Sequence, residues 1–506
     1  MTTGWLTQNQ LIDLKLMSDR AQIDTSRIRD LIDTDLRSEF KREMRSGTQY
    51  YDARHDILDY LQYYWIDSVR QRDLVKTNNT IPHPFHKVLV DQKVAYIAGN
   101  PVLVSVSDDA ADAGAFQEQL ILWLDESFDD HVNDWLLGSC NKGVEWMHAY
   151  IDPKGDLRYC IVPAEQIIAV YDTQYQDELI YVIRFYVYDL IDVSGKSQQR
   201  YKIEWWSKEQ VEYWSETVSG NFIHDPDYET NPAPHWWTFN TAKPGIKSSN
   251  SWGRVPFVPL PNNSQLRNDL RPIKRLIDAY DKVKSGWVND LDDFSEMIYV
   301  LKGFTGLSSE ATAGYSQLAL FLQNLKQNKA VGVEADGAVT TLRSEIPVEA
   351  KEKFLGITRQ EIFYFGEGVD VGDEKTVGAA PSGVALKFLY ASLDMKANRM
   401  IRKLKTALKS FVWFVTAYIN IRENKEYDSE QIIFTINKSM IFNEREKIDG
   451  INASKGVLSR RTMLENHPYV EDVEEELARI EAEKGEPVDE ETEPEESEAG
   501  VEVETP

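Results

Sequence analysis

From Val384 to about Ile421 the chain runs without a single Gly or Pro, and the stretch feeding it, GEGVDVGDEKTVGAAPSG from Gly366, is unusually rich in glycine. A helix over 384–421 would span roughly 57 Å, nearly twice the ~30 Å diameter of a small domain. Apolar side chains recur at Leu386, Leu389, Leu393, Ala397, Met400, Leu404, Leu408, Phe411, Val415 and Tyr418. That spacing predicts one long buried face, with Leu389, Leu393, Met400 and Leu404 as packing residues. Such an element suits a strut in a large assembly. The stretch before it is too polar for a core and too glycine-rich to be stiff, so it reads as a loop free to move.

At 506 residues the chain exceeds what one hydrophobic core serves, and several domains are expected. No basic segment followed by an apolar run opens it, and Phe411 to Ile419 is too short to cross a bilayer. The expectation is a protein made and kept in a cytoplasm, without membrane contact. Cys140 and Cys160 fit a reducing compartment and read as free thiols. The net charge of −27 is uneven: Glu471 to Pro506 holds 17 acidic residues against 2 basic ones. Residues 484–506 therefore read as a solvated, disordered tail. The body is acidic too, which argues against tight charge-driven binding of nucleic acid but not against a surface past which a polyanion slides.

Along the chain, one amphipathic helix is predicted over 25–45, capped by Thr25 or Ser26. Another starts at Pro84 and ends at Gly99, and a third covers Ala115 to about Cys140. The outward Asp125, Glu126, Asp129 and Asp130 of the third read as a solvated face. From Gly143 the period changes to two: VEWMHAYI and LRYCIV form a hairpin, and IIAVYD, LIYVIRFYVYD, RYKIEWW and VEYWSE continue it as one antiparallel meander. Nine of 13 tryptophans fall between Trp123 and Trp252, read as core and cross-strand packing. Pro272 opens a helix, Pro347 a second that ends at Gly366, and a small β-containing insert lies between them. The two helices should run antiparallel with the insert at their tip. In that insert AVGVE and AVTTL predict a hairpin turning at Asp336 and Gly337. QIIFTINKSMIF reads as a strand, and short helices follow at 444–450, 460–465 and 473–483.

Catalytic patterns are missing. Gly195-Lys196-Ser197 lacks the earlier glycine of a phosphate loop and reads as a hairpin loop. Gly366, Gly368 and Gly372 miss dinucleotide spacing. His83 and His86 have no third ligand nearby. No carboxylate pair or nucleophile motif supports hydrolysis. The reading is of a protein that is not an enzyme and takes no cofactor or metal. A maturation hydrolase would need a catalytic set that is lacking; a monomeric or dimeric scaffold or adaptor is the other rival.

The stretch KTNNTIPHPFHKVLVDQKVAYIAGNPV, Lys76 to Val102, resembles the signature of the siphovirus portal family of tailed bacteriophages: an Asn-Asn turn, a helix carrying Val-Asp-Gln-Lys, and a closing Gly-x-Pro. Further resemblance lies in NKGVEWMHAYID (141–152), VPAEQIIAVYD (162–172), WGRVPFVPLPNN (252–263), TLRSEIPVEA (341–350) and LYASLDMKANRMIRK (389–403). The order is collinear from about residue 40 to 483. Gly-Ala-Ala at 378–380 departs from the family's commoner Gly-Gly-Gly.

The resemblance implies an α+β, multidomain, ring-forming portal fold. Residues 1–263 would be the wing, 264–296 the first stem helix, 297–346 the clip, 347–365 the second stem helix and 366–382 the tunnel loop. Residues 383–442 would add the long wing helix and a strand, 443–483 the crown, and 484–506 the acidic tail. It further implies a ring of about twelve copies at one capsid vertex. The large terminase subunit would package double-stranded DNA through its channel, without reading sequence, and DNA would leave by the same route. A head-to-tail adaptor and the major capsid and scaffolding proteins are implied partners, with assembly in the host cytoplasm before residence in the virion. Glu367, Asp370, Asp373, Glu374, Lys375 and Thr376 would face the DNA, four acids against one lysine keeping contact with phosphates weak.

Overall fold

The structure, a computed structural model, describes residues 25–66, 69–72, 77–110, 112–172, 178–191, 197–239, 247–293, 298–302, 338–342, 347–372, 388–439, 444–467, 469–470 and 473–485. The chain divides into two units. Met1–Gly378 with Tyr390–Ser439 forms the larger, and Ala379–Leu389 with Met440–Pro506 the smaller.

Two predicted helices are each two. Thr25–Arg37 (α1) and Glu39–Tyr51 (α2) part at Ser38, which is extended and whose hydroxyl accepts from the Lys41 N–H. Local capping of α2 outcompetes one continuous helix. Phe85–Ala98 (α3) runs between Pro84 and Gly99 as expected. Ala113–Leu124 (α4) and Phe128–Lys142 (α5) break at Asp125, at φ 50°, whose carboxylate accepts from the Ser127 N–H and hydroxyl.

The β region is also two sheets, not one meander. Val144–Ile151 pairs with Leu157–Val162 and, on its other edge, with Phe257–Pro261. After Pro163 a 3-10 turn at Ala164–Gln166 swings the chain onto a second antiparallel sheet. Its strands Ile167–Tyr171, Leu179–Ile191, Ser197–Trp206, Gln210–Glu216 and Phe222–His224 lie side by side in chain order. Ile191 pairs with Ser197; Gly195 and Lys196 lie outside the described residues. Because successive strand residues point to opposite faces, this sheet buries both. Val182 and Trp206 pack towards the first sheet and α2, while Ile183 and Trp205 pack under Ile28 and Ile32 of α1. Trp135, Trp146, Trp205, Trp206 and Trp214 are buried, as core packing requires.

Lys274–Asp293 (α6) and Val348–Phe365 (α7) pack antiparallel. Ile277, early in α6, shares a core with Ile362, late in α7, and Lys351 pairs with Asp290 at the other end. There Ile298–Lys302 pairs antiparallel with Ala338–Leu342. AVTTL thus has Ile298–Lys302 as a partner strand, across some forty residues of sequence. Asp336 and Gly337 lie outside the described residues.

The long helix, Ala391–Glu423 (α8), has 33 residues, about 50 Å. Phe388 and Leu389 are helical as well, with a turn at Tyr390 before Ala391; 373–387, with the predicted start at Val384, lie outside the described residues. Leu393, Met400 and Leu404 are buried along one face with Leu408, Phe411 and Val415. Leu389 belongs to the smaller unit and is 36% exposed. The strand Ile432–Thr435 pairs with Leu103–Val106. In the smaller unit Glu444–Ala453 (α9), Arg460–Glu465 (α10) and Val473–Gly485 (α11) are helical. No helix among the described residues is long and apolar enough to cross a membrane.

Candidate functional site

The glycine-rich stretch leaves α7 through seven described residues, 366–372, and these are held from three directions. Val369 is buried, and the Gln92 side chain of α3 closes both its backbone groups: Nε2 donates to the Val369 carbonyl at 2.7 Å, and Oε1 accepts from its N–H at 3.0 Å. Gly366 and Gly368 lie so close to Leu89 that a Cβ on either would come within 2.6 Å and 2.1 Å of it. Asp370 accepts two hydrogen bonds, both 2.7 Å, from the Arg359 guanidinium of α7. Glu367, at φ 55°, takes both carboxylate oxygens to Arg399 of α8 at 2.6 and 2.8 Å. The sequence leaves these acids open; the fold pairs each with an arginine of a flanking helix. Asp373, Glu374, Lys375 and Thr376 lie outside the described residues.

The loop base is wired to a buried polar junction. Lys396 of α8 donates to the Gly366 carbonyl at 2.8 Å and lies 3.4 Å from Asp269. Asp269 accepts from Lys93 of α3 at 2.9 Å, and Lys93 also donates to Asn262 Oδ1 at 2.5 Å. Burial alone would push the Asp269 carboxyl up, but Lys396 and Lys93 outweigh it and hold it well below the carboxylate range. Burial pushes Lys93 down, and Asp269 outweighs that too, keeping its ammonium charged. Beside them burial raises the Cys140 thiol to about 11 and lowers His86 to about 4, where its Nε2 donates to Asn141 Oδ1. His83 turns elsewhere, to Asp281 of α6 at 2.8 Å, so the two histidines do not converge on a metal.

The segment before α3 docks on one stripe of α6. The Asn79 N–H donates to Asn289, the Ile81 N–H to Ser285, and the His83 N–H to Asp281, acceptors four residues apart along the helix. Asp281 is fully buried and also receives His55 Nδ1 at 2.6 Å. The stretches quoted for the family resemblance are thus largely junction residues. Asn79 and His83 fix α6, Gln92 the loop base, Lys93 and Asn262 the charged junction, and Asn141 the buried imidazole. Arg359, Arg399 and Lys396 are the functional residues that pattern reading misses. The last two sit in the quoted LYASLDMKANRMIRK run, but nothing in one sequence says which carboxylate they meet.

Among the described residues no His, Cys, Asp or Glu group could hold a metal ion. The arrangement clamps one end of the glycine-rich stretch to α3, α7 and α8.

Comparison with known proteins places the chain. A family model, "Phage portal protein, SPP1 Gp6-like", matches residues 32–490. The portal protein of Bacillus phage SPP1 is 33% identical over 469 residues, 92% of this chain and 87% of the relative. The portal protein of a Clostridium phage, phiCD119, is 28% identical over 467 residues, 90% of this chain and 94% of the relative. A solved structure described as "Neck of empty GTA particle computed with C6 symmetry" aligns over 75% of this chain and 88% of its own, at 10% identity and a TM-score of 0.40. The family match across most of the length, and the relative at 33% identity, agree with the resemblance in the quoted motifs: the chain belongs to the phage portal protein family, SPP1 Gp6-like.

Proposed function

We propose that the chain assembles into a head-to-tail ring of about twelve copies at a capsid vertex. Through its channel terminase drives double-stranded DNA in, and through it the DNA is later released. In this reading α6 and α7 are the stem, residues 297–346 the clip that meets terminase and then the adaptor, and 366–382 the tunnel loop. Residues 1–263 with 383–442 form the wing, 443–483 the crown, and 484–506 a solvated tail. Capsid and scaffolding proteins would surround it, first in the host cytoplasm and then in the virion. No chemical step is assigned to it.

The observation that carries this reading is the anchored antiparallel pair. Two helices with a paired ribbon at one end, and the start of a glycine-rich segment pinned at the other, make a stalk that holds the base of a loop. Gln92, Arg359 and Arg399 fix residues 366–372 to the stalk and to the long helix. The test replaces Arg359 and Gln92 with Met and Leu in purified rings and in procapsids. Rings should form and enter procapsids normally, while DNA packaged per terminase ATP hydrolysed falls severalfold. Unchanged coupling in both variants would remove the clamp from translocation.

A further inference from the structure

Charge in the larger unit is segregated along the sequence, and the ion pairs of its fold use only part of it. Between Met395 and Arg422 there are seven Lys or Arg and no acid; between Val94 and Asn141 there are nine acids and no Lys or Arg. On α8, Met395 (60% exposed), Arg399, Arg402, Lys405 and Lys409 follow at spacings of three or four and so share one exposed stripe. Arg399 and Lys409 have intrachain carboxylates, but Arg402, Lys403 and Lys405 have no partner among the described residues. On α4 and α5 the exposed Ile121 and Leu122 (60% and 62%) are accompanied by exposed Glu118, Glu126, Asp130 and Asp134, likewise without a partner among the described residues.

We propose that these two faces are the two halves of one heterologous contact: the basic stripe of α8 in one copy seats on the acidic face of α4 and α5 in the next. The occupant is a second copy because the same chain carries both signs, each beside exposed apolar side chains, and among the described residues leaves Arg402, Lys403 and Lys405 unmatched on one face and Glu118, Glu126, Asp130 and Asp134 on the other. Copies bearing −27 each repel one another, so a closed ring needs local complementarity at its repeated contact. A head-to-tail interface presents two different faces, as here. This rests on the ring reading above and names the surfaces that close it.

Full-length protein would be measured by native mass spectrometry at 0.1 M and 0.5 M salt. Wild type should form rings at 0.1 M and fewer at 0.5 M, as screening weakens exposed pairs. Arg402→Glu with Lys405→Glu, and separately Asp130→Lys with Asp134→Lys, should each cut the ring fraction at least tenfold, with monomer melting temperatures unchanged. The fourfold variant carrying both reversals should recover rings, and so should an equimolar mixture of the two double variants. Rings at wild-type level in either double variant, or no recovery in the well-folded fourfold variant, overturns the proposal. So does an Arg402→Glu, Lys405→Glu protein that keeps its rings but loses affinity for a 30-base-pair duplex, which would assign the stripe to DNA. A wild type that stays monomeric in all conditions overturns the ring reading itself.

Discussion

Lys93 and Lys41 are equally buried, each 2% exposed, but they sit in differently built junctions. Lys93 shares Asp269 with Lys396 and has Asn262 as a further acceptor; burial is outweighed, and both charges persist. Lys41 instead reaches into the turn between the two sheets, donating to the carbonyls of Ala164, Glu165 and Ile167 at 2.6, 3.1 and 2.7 Å. Its nearest carboxylate, Asp35, stands 3.3 Å away, and burial wins: the ammonium is lowered and the Asp35 carboxyl raised. One junction is an ion cluster that ties α3, α8 and the loop base. The other is a backbone cap that happens to be charged. Buried charge is therefore no single quantity; what it does follows from which partners remain if it is removed.

The contrast breaks most visibly at Asp269. Asp269→Ala leaves Lys93 and Lys396 facing each other, Lys93 without water, and should cost about 3–5 kcal/mol by urea denaturation. A loss below about 1 kcal/mol would mean that water or a rearranged side chain replaces the carboxylate. Acidity sharpens the same corner. His86 is held at about 4 against an ordinary 6.5, so between those values the unfolded chain binds more protons than the folded one. Stability should fall as pH drops through that window, by up to about 3 kcal/mol from this residue. His86→Leu should flatten that part of the profile, read as denaturation midpoints at pH 7, 5.5 and 4; an unaltered slope would place the titration elsewhere. The smallest effects belong to the second junction. Lys41→Met leaves carbonyls unpaired at about 1–3 kcal/mol, whereas Asp35→Asn should stay within about 1 kcal/mol, because that carboxylate is already poorly accommodated. Equal losses for the two would make Lys41 and Asp35 a working ion pair after all.

Legibility in the sequence followed the range of the interaction. The meander strands, α3 and the three short helices past residue 443 were readable because period and turn residues are local. The single helices expected over 25–45 and 115–140 failed at Ser38 and Asp125, where a side chain within three residues captures the backbone; those signals were present but short against a continuous apolar pattern. AVTTL pairs with Ile298–Lys302 across the insert, a distant partner that no local pattern signals, while AVGVE and the expected turn lie outside the described residues. In the candidate loop the glycines were legible and the acids were not. Glu367 and Asp370 look free in one dimension, and their arginines come from helices on either side.

By itself the sequence determined most of the elements and their order, the antiparallel strand pairing, the long buried helical face and membership of the portal family, since each rests on residue type at fixed spacing or on collinear resemblance. The tertiary structure alone decided which polar groups meet: Gln92 with the Val369 backbone, Asp269 between two lysines, Asp281 between two histidines. It also showed which charges stay unmatched on α8 and on α4 and α5. The physical reason is that burial selects the partners of a charge by desolvation, and desolvation is a property of the packed chain rather than of any segment of it.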